Sequence, residues 1–331
     1  MRVTVTGAAG FIGYHLINKL LSLGVEVQGV DSITDYYSVD LKKYRIRQLN
    51  NHKNAQNFHF IQKDVCSLEA EESILTFEPN SIIHLAAQAG VRQGLSGSHS
   101  YSKNNVEGFL QIIKVVRTAR PETFLFASSS SVYGKNSQIP FSEKQSLLRP
   151  QNIYGITKLM NELFSELLLN DVKTRTRGLR FFTVYGPAGR PDMAYFQAIG
   201  SALFGQKFKK YGDGLVKRDF TFIDDISSSV IGLEKELHNR EPGYFDVVNI
   251  GGGNPVSINE MIEKVEKIIG QSVDVEELLL SKEDLTLTYC DTSYLGSLIG
   301  TQSFVPIDVG LSKSIDWFRE SNEDGVKKWL I

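Results

Sequence analysis

The first thirteen residues constrain the fold more than any other stretch. Residues 2–6, Arg-Val-Thr-Val-Thr, alternate as a strand does and run without a break into Gly7-Ala8-Ala9-Gly10-Phe11-Ile12-Gly13. Ile12, Leu16, Leu20 and Leu23 then recur at spacings of four and three, so a helix opens inside the glycine run. A strand that turns through glycines straight into a helix suits a diphosphate: one glycine takes φ > 0, one admits the pyrophosphate, and one lets helix pack on strand. The anion then faces the positive end of the helix, beside Phe11 and Ile12. The next strand ends at Asp31, eighteen residues beyond Gly13, where a carboxylate accepts from both ribose hydroxyls of an adenosine. That carboxylate repels a 2′-phosphate and Ser32 supplies no compensating cation, so NAD is expected rather than NADP.

Apolar runs at 2–6, 25–30, 58–62, 81–85, 123–127 and 176–181 alternate with helical patterns at 11–23, 106–117 and 154–169. This is the order of βαβ units, and the expected class is α/β, a doubly wound parallel (Rossmann) sheet. Beyond residue 184 the rhythm breaks into Gly and Pro punctuation, with strands expected at 219–223 and 245–250 and a terminal helix at 311–320. A smaller mixed α/β lobe interleaved with the sheet domain fits that pattern. The expected division is 1–181 plus roughly 220–252 for the dinucleotide, and roughly 182–219 with 253–331 for the substrate.

With 36 basic and 38 acidic residues the chain carries no cationic surplus, which argues against a nucleic-acid partner. No window approaches 18 uninterrupted apolar residues, so no membrane span is expected. Two distant cysteines, Cys66 and Cys290, can build neither a disulfide framework nor a metal site, and a reducing cytoplasm is the expected setting. The opening residues lack the uninterrupted apolar core of a signal peptide.

Tyr154-Gly-Ile-Thr-Lys158 is the only Tyr-x-x-x-Lys in the chain and starts a helical pattern, which sets phenol and ammonium on one face. A neighbouring Lys⁺ and the charge of oxidised nicotinamide both favour phenolate, making Tyr154 a usable base. Ser128-Ser129-Ser130-Ser131-Val132-Tyr133-Gly134 begins where a strand ends, the position at which open α/β sheets place their ligands. His84 ends another strand with no partner acid or metal ligand spaced near it, and a buried, hydrogen-bonded core role is expected.

These motifs resemble the extended branch of the short-chain dehydrogenase/reductase superfamily. TGAAGFIG, DSITDYYSVDLKKYRIRQL, HLAAQAGVR, SSSSVYG, YGITK, RFFTVYGPAGRPDM and KRDFTFIDDI together are similar to the NAD-dependent nucleotide-sugar epimerases, most closely to the UDP-glucuronate 4-epimerases. The resemblance implies Ser129, Tyr154 and Lys158 as the catalytic triad. It also implies Asp64 and Val65 at the adenine, with Leu85, Ala86 and Ala87 as a strand end that a cofactor passes closely. Arg218 matches a diphosphate-binding arginine, with a surface ion pair to Asp219 as the alternative. Arg190 matches a residue that grips a hexuronate carboxylate, backed by Thr183, Ser130 and Ser131.

The implied reaction inverts C4 of a UDP-sugar through transient oxidation to a 4-keto intermediate. Departures from the family pattern at Ser32, Ala188, Gln93-Gly94 and Glu283-Asp284-Leu285 bear on which sugar that is. A UDP-glucose or UDP-N-acetylglucosamine 4-epimerase remains open. Dehydratases and decarboxylases of the family carry an acid in the serine loop, where this chain has Ser130 and Ser131. A catalytically silent NAD-binding sensor would usually have lost the Tyr or the Lys. A homodimer is implied by helices bearing Phe109, Ile113, Leu159, Leu163 and Leu167.

Overall fold

A computed structural model describes residues 1–91, 94–135, 137–279, 285–321 and 325–330, leaving aside the side chains of Leu95 and Ser96. Gln93, Glu283 and Asp284, named above among the departures, lie outside the described residues.

Seven parallel strands form the main sheet: β1 (Arg2–Thr6), β2 (Glu26–Val30), β3 (Phe58–Ile61), β4 (Ser81–His84), β5 (Thr123–Ser129), β6 (Arg175–Phe181) and β7 (Phe245–Ile250). Their spatial order is β7-β6-β5-β4-β1-β2-β3. The chain therefore reverses its direction of winding between β1 and β4, whose partners are Val3 with Ser81 through Thr6 with His84. Open α/β sheets bind ligands beyond the carboxyl ends of the strands at such a switch point. The strands read as near-continuous apolar runs because helices cover both faces. Val3, Val5, Ile82, Ile83, Phe124 and Leu125 are all essentially inaccessible.

Four helices matter for the site: α1 (Phe11–Ser22), α2 (Val39–Asn50), α3 (Gly108–Ala119) and α4 (Ile153–Leu168). The helix expected at 106–117 begins instead at Gly108, because Ser102–Glu107 form a wider π-type turn leading into it. The strand expected at 219–223 is Lys217–Phe222, and Ile223 starts a helix with Asp224 and Asp225 in its first turn, where acids favour the helix dipole. The terminal helix starts at Ile307, four residues before the apolar pattern that signals it.

Outside the main sheet lie a smaller three-stranded sheet of Pro255–Ser257, Lys217–Phe222 and Thr183–Tyr185, and a parallel pair of Val275–Leu278 with Phe208–Tyr211. One hydrophobic cluster joins the two parts, running from Val3 and Leu16 to Phe196, Phe318 and Trp329. No helix of the described residues is long and apolar enough to cross a membrane.

Candidate active site

The crevice opens where β1 and β4 end. Gly7 takes φ +74°, and its N–H donates to the Val30 carbonyl at 2.8 Å. A Cβ on Gly7 would stand 2.8 Å from the Ala86 nitrogen, and one on Gly13 would overlap the Gly7 carbonyl oxygen. Only glycine satisfies both positions. Gly10 caps α1 without a side-chain hydrogen bond, and no acid lies in the first turn. The leading N–H groups of the helix are thus left for an anion. Asp31 is fixed at the rim of this cradle, accepting from Ala9 N at 3.0 Å and Ile33 N at 2.7 Å. Each carboxylate oxygen has two lone pairs, so both can still accept a ribose hydroxyl. The residues fit a dinucleotide.

One continuous cavity is lined by Gly7, Gly10, Phe11, Ile12, Gly13, Asp31, Asp64, Val65, Leu85, Ala86, Ala87, Ser129, Tyr154, Lys158 and Arg190. Ser130 and Ser131 stand just beyond it in a 3₁₀ turn, and Thr183 opens a strand between two lining residues, Phe182 and Val184. Arg218 also lies off this cavity, donating to the carbonyls of Lys217 and Leu285 at 3.0 and 2.7 Å. Asp219 accepts instead from the backbone N–H groups of Gly252, Gly253 and Cys290.

Tyr154 is the second residue of α4, which Asn152 caps by accepting from Gly155 N at 2.8 Å. Ser129, at the end of β5, accepts from Ser131 N at 3.1 Å and lines the same cavity as Tyr154. Lys158 is buried, and its ammonium donates to the Ala127 carbonyl at 2.8 Å. Burial pushes the Tyr154 phenol up, against the opposing pull of the Arg190 charge and the Ser129 hydroxyl. Burial also pushes Lys158 down to about 8. The sequence argument, in which the ammonium draws the phenol down, is overturned for the protein without its cofactor. In a low-dielectric site desolvation is the largest influence on the phenol, and within the chain it is Arg190 and Ser129, not Lys158, that favour the phenolate.

A buried network braces the serine loop. Arg180 donates to both oxygens of Glu162, at 2.9 and 2.7 Å, and to the Tyr133 hydroxyl at 2.9 Å. Tyr133 in turn donates to Asn249 at 2.7 Å, while the Ser128 hydroxyl donates to Glu162. Glu162 lies one turn beyond Lys158 on α4, so this network locks α4 to the end of β5.

Arg190 is held along one edge by Asp192, through Nε at 3.0 Å and Nη2 at 2.5 Å. Sequence reasoning gave no role to Asp192, Tyr36 or Tyr37, although their motifs are among the specific parts of the resemblance, and it passed over Lys42; Tyr36, Tyr37 and Lys42 line the same cavity. Lys42 donates to the carbonyl and hydroxyl of Thr34 and sits 4.5 Å above the Tyr37 ring. On sequence alone it looks like an ordinary lysine of a solvated helix face. The Asp35-Tyr36-Tyr37 run just before it is the signal that marks the segment. His84 is a core residue as expected: its Nδ1 meets the Thr6 hydroxyl at 2.7 Å, and burial followed by the Lys158 charge lowers it to about 3.

The profile of the NAD dependent epimerase/dehydratase family matches residues 3–251. UDP-glucuronate 4-epimerase of Thermodesulfobacterium geofontis is 38% identical over 321 residues, covering 96% of each chain. The protein CapI of Staphylococcus aureus is 36% identical over 97% of this chain and 99% of its own. Among solved structures, UDP-glucuronic acid 4-epimerase from Bacillus cereus in complex with UDP-glucuronic acid and NAD superposes with a TM-score of 0.88 at 32% identity, over 97% of this chain and 99% of that one.

Proposed function

The chain belongs to the NAD dependent epimerase/dehydratase family, and we propose that it inverts C4 of UDP-glucuronate to give UDP-galacturonate. One observation carries the choice of sugar. Arg190, a guanidinium suited to a carboxylate, lines the same cavity as Ser129, Tyr154 and Lys158. A neutral hexose offers the edge of that guanidinium not held by Asp192 no carboxylate.

NAD held in this cradle would supply reversible hydride acceptance at C4. The chain's own residues do the rest. Tyr154 takes the proton of the C4 hydroxyl, with the Ser129 hydroxyl favouring its phenolate and Lys158 supplying positive charge beside it. Gly7, Gly10, Phe11, Ile12 and Gly13 cradle the diphosphate, Asp31 holds the adenosine ribose, and Asp64 with Val65 meets the adenine. Leu85, Ala86 and Ala87 form the wall along which the cofactor passes. Arg190 grips the carboxylate with support from Ser130, Ser131 and Thr183, and Arg218 serves the UDP diphosphate.

In this reading residues 1–181 and roughly 220–252 serve the dinucleotide, and the remainder serves the UDP-sugar. The protein acts as a homodimer in the cytoplasm, supplying an activated uronate for polysaccharide assembly. Free thiols at Cys66 and Cys290 suit a reducing compartment. Pairing of α3 and α4 is supported by exposed Leu110, Ile156, Leu163 and Leu167. Phe109 and Ile113, read from sequence as part of that face, are buried against the sheet instead.

Incubation with UDP-glucuronate and, separately, UDP-glucose, followed by resolution of the products, tests the reading. UDP-galacturonate as the dominant product supports it. Equal conversion of UDP-glucose replaces it with a neutral-sugar epimerase.

A further inference from the structure

The loop that carries Arg190 is held by its own carbonyl groups. The Gly186 carbonyl accepts from the Tyr195 hydroxyl at 2.8 Å, and the Pro187 carbonyl lies 2.8 Å from His15 Nε2, which therefore carries the proton. The Ala188 carbonyl accepts from Arg45 Nε at 3.0 Å, and the Gly189 carbonyl from Arg45 Nη2 at 2.8 Å. Four successive carbonyls are thus each claimed by a side chain, and Ala188 is kept at φ +50°, a conformation alanine rarely adopts. The second arm of the same guanidinium, Nη1, donates to the Ala9 carbonyl in the phosphate-binding turn at 2.8 Å and to the Tyr37 hydroxyl at 2.6 Å.

Arg45 is fully buried, and its hydrogen-bond partners among the described residues are three carbonyls and a phenol. A guanidinium sealed away without a bonded carboxylate is a costly means of filling space, since an apolar side chain would do so without the desolvation penalty. What an apolar residue cannot do is span two segments with a planar fork. We infer that Arg45 is a positioning residue for substrate recognition: it fixes the backbone from which Arg190 reaches into the cavity and ties that backbone to the turn under the dinucleotide. This rests on the reading that a hexuronate carboxylate is the ligand of Arg190.

The test is calorimetric binding of UDP-glucuronate and of UDP to protein saturated with NAD. It compares wild type, Arg45→Lys, Arg190→Ala and the double variant. Lysine keeps the charge but loses the fork. Arg45→Lys is expected to weaken UDP-glucuronate by about tenfold or more while UDP, which has no carboxylate, changes by less than about twofold. Because Arg45 acts through Arg190, the double variant is expected to bind UDP-glucuronate no more weakly than Arg190→Ala alone. A loss of equal size for both ligands, or additive losses in the double variant, overturns the inference and leaves Arg45 a packing residue.

His15→Ala, made in parallel, releases the Pro187 carbonyl while leaving the Arg45 fork in place. It is expected to weaken UDP-glucuronate selectively by about threefold, and no selective change overturns the anchoring whether or not Arg45→Lys folds. If wild type itself binds UDP-glucuronate no better than UDP, the proposed function fails and takes the inference with it. If wild type discriminates and Arg45→Lys still does, only the inference fails.

Discussion

The ammonium of Lys158 stands 5.8 Å from the ring centre of Tyr154, one turn away on α4, and its hydrogen bond to the Ala127 carbonyl at 2.8 Å pins it to the end of β5. This is an electrostatic arrangement held at the expense of stability. A buried ammonium with pKa near 8 is disfavoured in the folded state relative to its ordinary 10.5.

Lys158→Met is therefore expected to raise the melting temperature at pH 7 while abolishing epimerisation, because methionine fills a similar volume without a charge to desolvate. For the wild type, the unfolded chain binds more protons than the folded one between about pH 8 and 10.5. The contribution of this lysine to stability accordingly improves as pH rises through that window and is constant below it. Scanning calorimetry of both proteins across the range checks the sign.

Tyr154→Phe is expected to lower turnover by roughly 100-fold or more with little change in substrate affinity, since it removes a proton acceptor used in the transition state. Ser129→Ala, which removes a hydroxyl that favours the phenolate, is expected to cost less. Steady-state kinetics alongside binding measurements separates the two effects.

Arg190→Ala is expected to raise the Michaelis constant for UDP-glucuronate strongly and to increase a UDP-pentose by-product. Oxidation at C4 creates a β-keto acid, which sheds carbon dioxide when its C5–C6 bond stands perpendicular to the ketone plane. A guanidinium that pins both carboxylate oxygens prevents that alignment, at roughly 1.5–3 kcal/mol per charged hydrogen bond. The ratio of pentose to uronate product is the readout.

Acid is expected to destabilise the protein through the buried His84 and the half-buried His15. Burial lowers His15 to about 4 and His84 to about 3, against an unfolded value of 6.5. The unfolded chain takes up protons that the folded one refuses, so stability is fully present above about pH 6.5 and is lost as pH falls toward 3. A melting curve series from pH 7 to 4 should be shallower in the His84→Gln variant.

Glutamate at Leu163 and Leu167 is expected to yield a monomer without loss of the fold. These side chains are 56% and 66% exposed on α4, so a charge there meets water in the isolated chain and an apolar partner in a dimer. Sedimentation of the double variant against wild type decides it.

Much of this architecture was legible because it depends on short-range patterns. The Gly7, Gly10 and Gly13 turn, the strand end at Asp31 and the Tyr154–Lys158 pair each announce themselves within a few residues. The sense of the Tyr154 shift was not legible, because it depends on how deeply α4 lies against β5, which no local spacing encodes. Arg45 and Asp192 escaped for a related reason. Arg45 bonds the carbonyls of residues 9, 188 and 189 and reads as surface charge until the fold encloses it, while Asp192 stays exposed and gains its meaning only from Arg190 beside it. Phe109 and Ile113 failed in the opposite direction: a helix with apolar residues on two faces does not say which face meets the sheet.

The pairing of Glu162 with Arg180 beneath the serine loop bears on how such an enzyme can diverge. Removing either partner strands the other as a buried charge, typically at 3–5 kcal/mol, whereas replacing both with well-packed apolar residues is often nearly neutral. Ser128, Tyr133 and Asn249 hang from the same pair, so the order in which substitutions arrive decides whether each intermediate still folds. The loop that selects the chemistry at C4 is consequently insulated from stepwise drift. A lineage can vary freely around it while its foundations change only in concert.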